Sequence, residues 1–153
     1  MTKTNFPEMI IFIGIPASGK STFYEQNFAA THTQISLDIL RTRFQENKML
    51  QEAVNSGKSC VIDNTNVSIS ERKKYIDIAK AHGYKITGYY FRSTLDECCR
   101  RNAQRTGKKQ VPEIALRNKA AHLEHPSIQE GFDELFYVKI EDNNFSILQF
   151  NEV

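Results

Sequence analysis

Directly after a run of five apolar residues, Met9-Ile-Ile-Phe-Ile13, stands the segment Gly14-Ile-Pro-Ala-Ser-Gly19-Lys20-Ser21. It is a full match to G-x-x-x-x-G-K-[ST], in which the glycines let the backbone turn tightly and aim successive amides at one anion. The backbone from Gly14 through Ala17, Ser18 and Gly19 to Thr22 would supply those N–H donors, at the positive end of the helix that follows. A lysine at position 20 can reach the outer phosphates of a polyphosphate, and a hydroxyl at position 21 suits a magnesium ion. The chemistry implied is the cradling of a nucleotide tail.

What happens to the terminal phosphate depends on the other strand ends, because ligands of open α/β sheets gather outside the carboxyl ends of the strands. Asp38 follows a candidate strand over 34–37, Asp63 follows one over 59–62, and Arg92 follows one over 85–91. Each has a plainer reading: Asp38 as a helix cap, Asp63 with its Asn and Thr neighbours as a turn, Arg92 as a surface ion pair. The residue after Asp63 is the neutral Asn64 rather than a glutamate that would activate water, which disfavours hydrolysis as the main task. Transfer to an organic hydroxyl needs an acceptor-side carboxylate instead, and Asp38 is the best placed. Arg101 and Arg105 are four apart, on one face if helical, just before Thr106-Gly-Lys-Lys-Gln110. They suit a mobile lid that brings positive charge to the phosphates, or, more plainly, a solvated helix end.

These residues need elements to carry them. The unbroken apolar run 9–13 reads as a strand buried on both faces. Further strands are expected over 34–37, 59–62, 85–91 and 135–140, with 145–150 as a sixth strand or a packed tail. Helices are expected over about 20–30, 38–55, 69–82, 94–104 and 112–124. Ser68-x-x-Glu71 and Thr94-x-x-Glu97 read as capping boxes, and Gly57 and Gly83 as helix stops. The alternation predicts an α/β fold: a mostly parallel five-stranded sheet with helices on both faces and a basic lid at about 100–112.

The composition is that of an ordinary globular protein: 153 residues, 40% hydrophobic, 25% charged. With no repeat or linker, a single domain over 1–153 is expected. No apolar run approaches the roughly 18 residues of a membrane span, and the first residues lack a secretory pattern. Three cysteines, two of them adjacent, suggest no disulfide framework, so a cytoplasmic location is expected. The four histidines are scattered, Cys60 reads as core, and Tyr89-Tyr-Phe91 reads as core rather than a stacking surface. A net charge of +2 does not announce a nucleic-acid binder. Its distribution is uneven, with seven basic residues against Glu113 over 100–119 and an acidic excess from 120 onward.

Taken together these segments resemble the polynucleotide 5'-hydroxyl kinases, including the kinase half of bifunctional polynucleotide kinase-phosphatases. The resemblance runs from about Ile10 to Ile140 through Gly14 to Phe23, Ser36-Leu-Asp-Ile-Leu-Arg41, Val61-Ile-Asp-Asn-Thr-Asn66, Arg101-Asn-Ala-Gln-Arg105 and His125-Pro-Ser-Ile-Gln-Glu-Gly-Phe132. It implies a P-loop kinase fold, ATP and Mg2+ as cofactors, and transfer of the γ-phosphate to a 5'-hydroxyl end of DNA or RNA. It further implies Asp38 as general base, Arg41 on the acceptor's neighbouring phosphate, Lys20, Arg101 and Arg105 on the donor phosphates, Ser21 on magnesium and Asp63 behind it through bound water. The spacing of three between Asp38 and Arg41 would put both on one helix face. One departure is Leu37, where family members often carry a basic residue. A small-molecule alcohol (a sugar, nucleoside or antibiotic) as acceptor, or a non-catalytic ATP-binding switch, are the alternative readings. No stable protein partner and no membrane association are expected.

Overall fold

A computed structural model describes residues 6–142 and 144–149. Its elements are β1 (Glu8–Ile13), α1 (Lys20–Asn27), β2 (Thr33–Ile35), α2 (Leu37–Leu40), α3 (Arg43–Asn55), β3 (Cys60–Ile62), α4 (Ile69–Ala81), β4 (Lys85–Phe91), α5 (Leu95–Ala103), α6 (Glu113–His122), β5 (Glu134–Glu141) and β6 (Asn144–Gln149). Short 3-10 turns occupy Gly107–Lys109 and Ile128–Glu130. The strands form one sheet in the order β2-β3-β1-β4-β5-β6. The first five are parallel, with Ile10 opposite Val61 and Phe12 opposite Tyr89. The sixth returns antiparallel on β5, Val138 opposite Ile147.

The sheet therefore has six strands where five were expected. β6 is an edge strand whose residues are exposed or only half buried, so it lacks the apolar pattern that marks a central strand. Residues 150–153 lie outside the described residues.

Central β1 explains the unbroken apolar run. Met9, Ile11 and Ile13 pack on one side against Leu50, Ala53 and Val54 of α3 and Tyr75, Ile76 and Ala79 of α4. Ile10 and Phe12 pack on the other side with Phe23 and Tyr24 of α1, Val61, Phe91 and Val138. There Phe12 meets Phe91 edge to face at 5.0 Å between ring centroids and Phe23 at 5.9 Å. A third, small cluster joins Cys98 of α5 and Leu116 of α6 to Ile15 and Ala17 of the loop after β1. Packing there, rather than sequence proximity, seats α5 and α6 on the loop.

One expected helix is two. The stretch 38–55 breaks at Arg41, whose φ of 69° is left-handed, and restarts when the Thr42 hydroxyl accepts from Gln45 N at 3.1 Å. Thr42-x-x-Gln45 is itself a capping pattern, legible but overshadowed by the helical run on either side. Elsewhere the caps follow expectation more closely. Thr94 and Glu97 form the full reciprocal box, the Ser68 hydroxyl accepts from Glu71 N, and Gly57 and Gly83 take φ of 65° and 73° just past helix ends. Among the described residues no helix is long and apolar enough to cross a membrane.

Gly88 in β4 has no room for a side chain, since an added Cβ would lie 2.7 Å from both Leu135 Cδ1 and Phe132 Cε1. Gly88→Ala is expected to lower stability by about 1–3 kcal/mol through overpacking. A lower denaturant midpoint at unchanged slope would report it; an unchanged midpoint would mean β5 moves aside freely.

Candidate active site

The loop after β1 is shaped by close approach. Gly14 N donates to Thr65 O at 3.0 Å, and a Cβ on Gly14 would sit 2.8 Å from Ser18 Oγ and 3.0 Å from Phe91 Cβ. Gly19 has a φ of 95°, and Ala17, unusually for a residue with a side chain, a φ of 66°. Left-handed backbone at a non-glycine costs on the order of 1 kcal/mol and persists only where surroundings impose it. Here Arg101 imposes it, its Nε donating to Ala17 O at 2.7 Å.

Lys20 lies folded over this loop. Its Nζ donates to Gly14 O and Ile15 O, both at 2.9 Å, and more weakly to Ser18 Oγ at 3.4 Å. Burial pulls its pKa down to about 8, with Arg105 pulling the same way and Asp63 and Asp38 opposing. An ammonium held among carbonyls in low dielectric is poorly compensated, so an anion in the loop would be strongly welcomed.

Asp63, at the end of β3, accepts at Oδ2 from Ser21 Oγ at 3.1 Å and from Gln34 Nε2 at 2.8 Å. Burial raises its pKa, while those two hydrogen bonds and Lys20 hold it down. A hydroxyl and a carboxylate side by side are hard oxygen donors of the kind that suit Mg2+. Among the described residues no group of three or more His, Cys, Asp or Glu forms a metal cage, so such an ion would lean on phosphate oxygens and water.

Asp38 is exposed on the one-turn helix α2. It follows β2 as Asp63 follows β3, and the parallel pairing of those strands brings both to the same edge of the sheet, where Asp38 adds its charge to the field around Lys20 and Asp63. Asn64 Oδ1 accepts from the backbone N of Leu37, immediately before it, at 2.8 Å. Arg41 is also exposed, but as the left-handed residue that ends α2 rather than as a partner of Asp38 along a continuing helix. The shared-face expectation is corrected by that break.

The two lid arginines part company as well. α5 ends at Ala103, so Arg105 falls beyond the helix and donates to Lys109 O at 3.3 Å, while Arg101 remains helical and is tied to the loop. They do not share a helix face. Asn102 clasps the base of this segment, its Oδ1 accepting from Val111 N at 3.0 Å and its Nδ2 donating to Val111 O at 2.7 Å. Arg105 nonetheless acts on Lys20 through space. Arg92 lies over the Tyr137 ring, 5.3 Å from its centroid.

Several supporting residues escaped the sequence reading. Gln34 on β2 carries no motif that would flag it. Asn66, buried at φ 46°, donates from Nδ2 to Phe12 O at 2.8 Å. Fully buried Arg72 donates to Asn66 O at 2.9 Å, Val67 O at 3.1 Å and both oxygens of Glu130, fastening the loop after β3 to α4. Glu46 is likewise fully buried. Nothing in a polar helix marks one carboxylate as internal; Asn64 and Asn66, one and three residues after Asp63, are the signal that was available.

With this geometry in view, the comparisons with known proteins agree on the architecture. The family model described as AAA domain matches residues 9–126. The bifunctional polynucleotide phosphatase/kinase of Schizosaccharomyces pombe is 34% identical over 134 residues, 85% of this chain and 33% of that protein. This chain thus spans about a third of that relative's length. The structure of Chaetomium thermophilum Kti12 in complex with ADP-AlF3 matches with a TM-score of 0.64 at 16% identity, covering 88% of this chain and 90% of that one. A gluconokinase from Sinorhizobium meliloti 1021 matches with a TM-score of 0.60 at 21% identity, covering 90% and 85%. At these identities the two structures speak to the fold, which is that of P-loop kinases.

Proposed function

Because the chain belongs to the AAA-domain family of P-loop proteins, we propose that it is an ATP-dependent phosphotransferase moving the γ-phosphate to a 5'-hydroxyl end of DNA or RNA. The observation that carries this reading is that α2, after β2, puts the exposed Asp38 on the same sheet edge as Asp63 and the phosphate loop, where Lys20 lies folded over Gly14 and Ile15. An acid in that position is where an attacking hydroxyl needs a proton acceptor. The acceptor oxygen attacks the γ-phosphorus, its proton passes to Asp38, the bond to the β–γ bridging oxygen breaks, and ADP leaves. Lys20 and the loop amides of Ala17 to Thr22 hold the donor phosphates, the Gly14 N–H being taken by Thr65 O, and Arg105, with Arg101 behind the loop, offsets charge that develops there. Ser21, and Asp63 through bound water, would hold Mg2+, which when bound neutralises phosphate oxygens.

The nucleic-acid acceptor is supported by the S. pombe relative and by Arg41, an exposed guanidinium in strained backbone beside the base. A small-alcohol acceptor is the second reading, favoured by the gluconokinase-like fold and by the net charge of only +2. Incubation with labelled ATP separates them. Label on a 5'-hydroxyl oligonucleotide supports the first, and label only on a sugar or nucleoside overturns it.

A proton balance tests the donor side independently. At pH 8 about half of the ligand-free Lys20 is protonated, and an anionic polyphosphate raises its pKa, so binding ATP is expected to take up to about half a proton. The uptake should fade toward about pH 6.5, where Lys20 is already charged. Calorimetry in buffers of different ionisation enthalpy reads it, and equal uptake at both pH values would remove Lys20 as the source.

A further inference from the structure

The carboxylate proposed as base rides on an element that cannot hold itself in place. α2 is a single turn, Leu37–Leu40, and one helical turn fixes several dihedrals for little hydrogen bonding in return. Ser36 at its start makes no side-chain cap. Leu40, half buried, rests against the main core cluster. The side chain that caps the turn comes from another strand end, where Asn64 Oδ1 accepts from Leu37 N at 2.8 Å.

Asn64 is itself held from the other side. Its Nδ2 donates to Glu46 Oε2 at 2.6 Å, and Glu46, with no exposed surface, also accepts at Oε1 from Tyr75 OH at 2.9 Å and from Arg43 Nη1 at 3.0 Å. A carboxylate this deeply placed and this fully hydrogen-bonded has one orientation. It dictates that the amide nitrogen of Asn64 faces Glu46 and the amide oxygen faces the Leu37 N–H. Asparagine suits the position because one end must donate while the other accepts. Since Asn64 directly follows Asp63, the link ties the base-bearing turn to the strand end that also touches Ser21.

We propose that Asn64, oriented by Glu46, is a positioning residue that sets Asp38 against the phosphate loop through the Leu37 N–H. This rests on the reading of Asp38 as the general base. Misplacing a reacting group by about 1 Å costs about 10²-fold in rate, and Asn64→Ala is expected to lower kcat by that order with the KM for ATP little changed. In the Asp38→Asn background the same substitution should add almost nothing, because its effect passes through Asp38.

A swap guards against simple misfolding. Asn64→Asp sets two carboxylates against each other across the 2.6 Å contact and should be as slow as Asn64→Ala. Adding Glu46→Gln restores one donor and one acceptor and should bring kcat back to within a few-fold of the parent. All variants are assayed on a 5'-hydroxyl oligonucleotide over a range of ATP concentrations, so that kcat and the KM for ATP are read apart. An unchanged kcat in Asn64→Ala, a loss that multiplies with that of Asp38→Asn, or no recovery in the swap would each overturn the positioning role while leaving the base intact. A parent-like rate in Asp38→Asn itself would instead overturn the base, and the positioning role with it.

Discussion

Asp38→Asn is expected to lower the rate of phosphoryl transfer by about 10²- to 10⁴-fold, the range for loss of a general base, with ATP binding largely spared. The structure gives reasons for both halves of that expectation. Asp38 is exposed on α2, whereas the hydrogen bonds of Lys20 go to Gly14, Ile15 and Ser18. The asparagine is nearly isosteric and alters no hydrogen bond of the loop. Single-turnover transfer to a 5'-hydroxyl oligonucleotide, beside a separate ATP-binding titration, reads the two effects apart. A rate within a few-fold of the parent would mean that another group serves as the base.

Arg105→Ala is expected to cut turnover more steeply, by about 10³- to 10⁵-fold, the contribution of an arginine brought to a transferring phosphoryl group. Arg105 lies beyond the end of α5, its guanidinium contact is to Lys109 O at 3.3 Å, and it already perturbs Lys20 through space. Arg105→Lys should restore little, since a point charge does not replace a planar fork of donors. Arg101→Ala should behave differently. Its Nε secures the left-handed Ala17, so its loss is expected to appear first as a raised KM for ATP. Equal kcat losses for both arginines, with KM untouched, would mean that they work as one lid. An Arg105→Ala protein with parent-like turnover would leave the lid no chemical part.

The fold was legible wherever burial leaves a periodic trace. β1 reads as an unbroken apolar run because Met9, Ile11 and Ile13 face one layer and Ile10 and Phe12 the other. The Thr94–Glu97 box and the Gly57 and Gly83 stops use local chemistry that needs no partner from afar. β6 was ambiguous because an exposed edge strand leaves little trace. The break at Arg41 was missed because polar helices do not announce a one-residue change of hand, although Thr42 and Gln45 carried the signal.

The candidate site divides along the same line. Gly14 to Thr22 were recognisable by adjacency, since a strand, a tight loop and a helix N-terminus in succession mark a site for backbone amides whatever else braces it. Asp38 and Asp63 were nameable from strand-end topology, because parallel strands deliver their carboxyl ends to one edge, and Arg101 and Arg105 from their spacing in a basic segment. How each is held was not. Arg101 folds onto Ala17 while Arg105 leaves the helix, and Glu46 turns inward to orient Asn64. Those choices belong to the tertiary structure, because a hydrogen bond between residues tens of positions apart leaves no periodicity in the chain and is decided only by which side chains end up sharing a water-poor space.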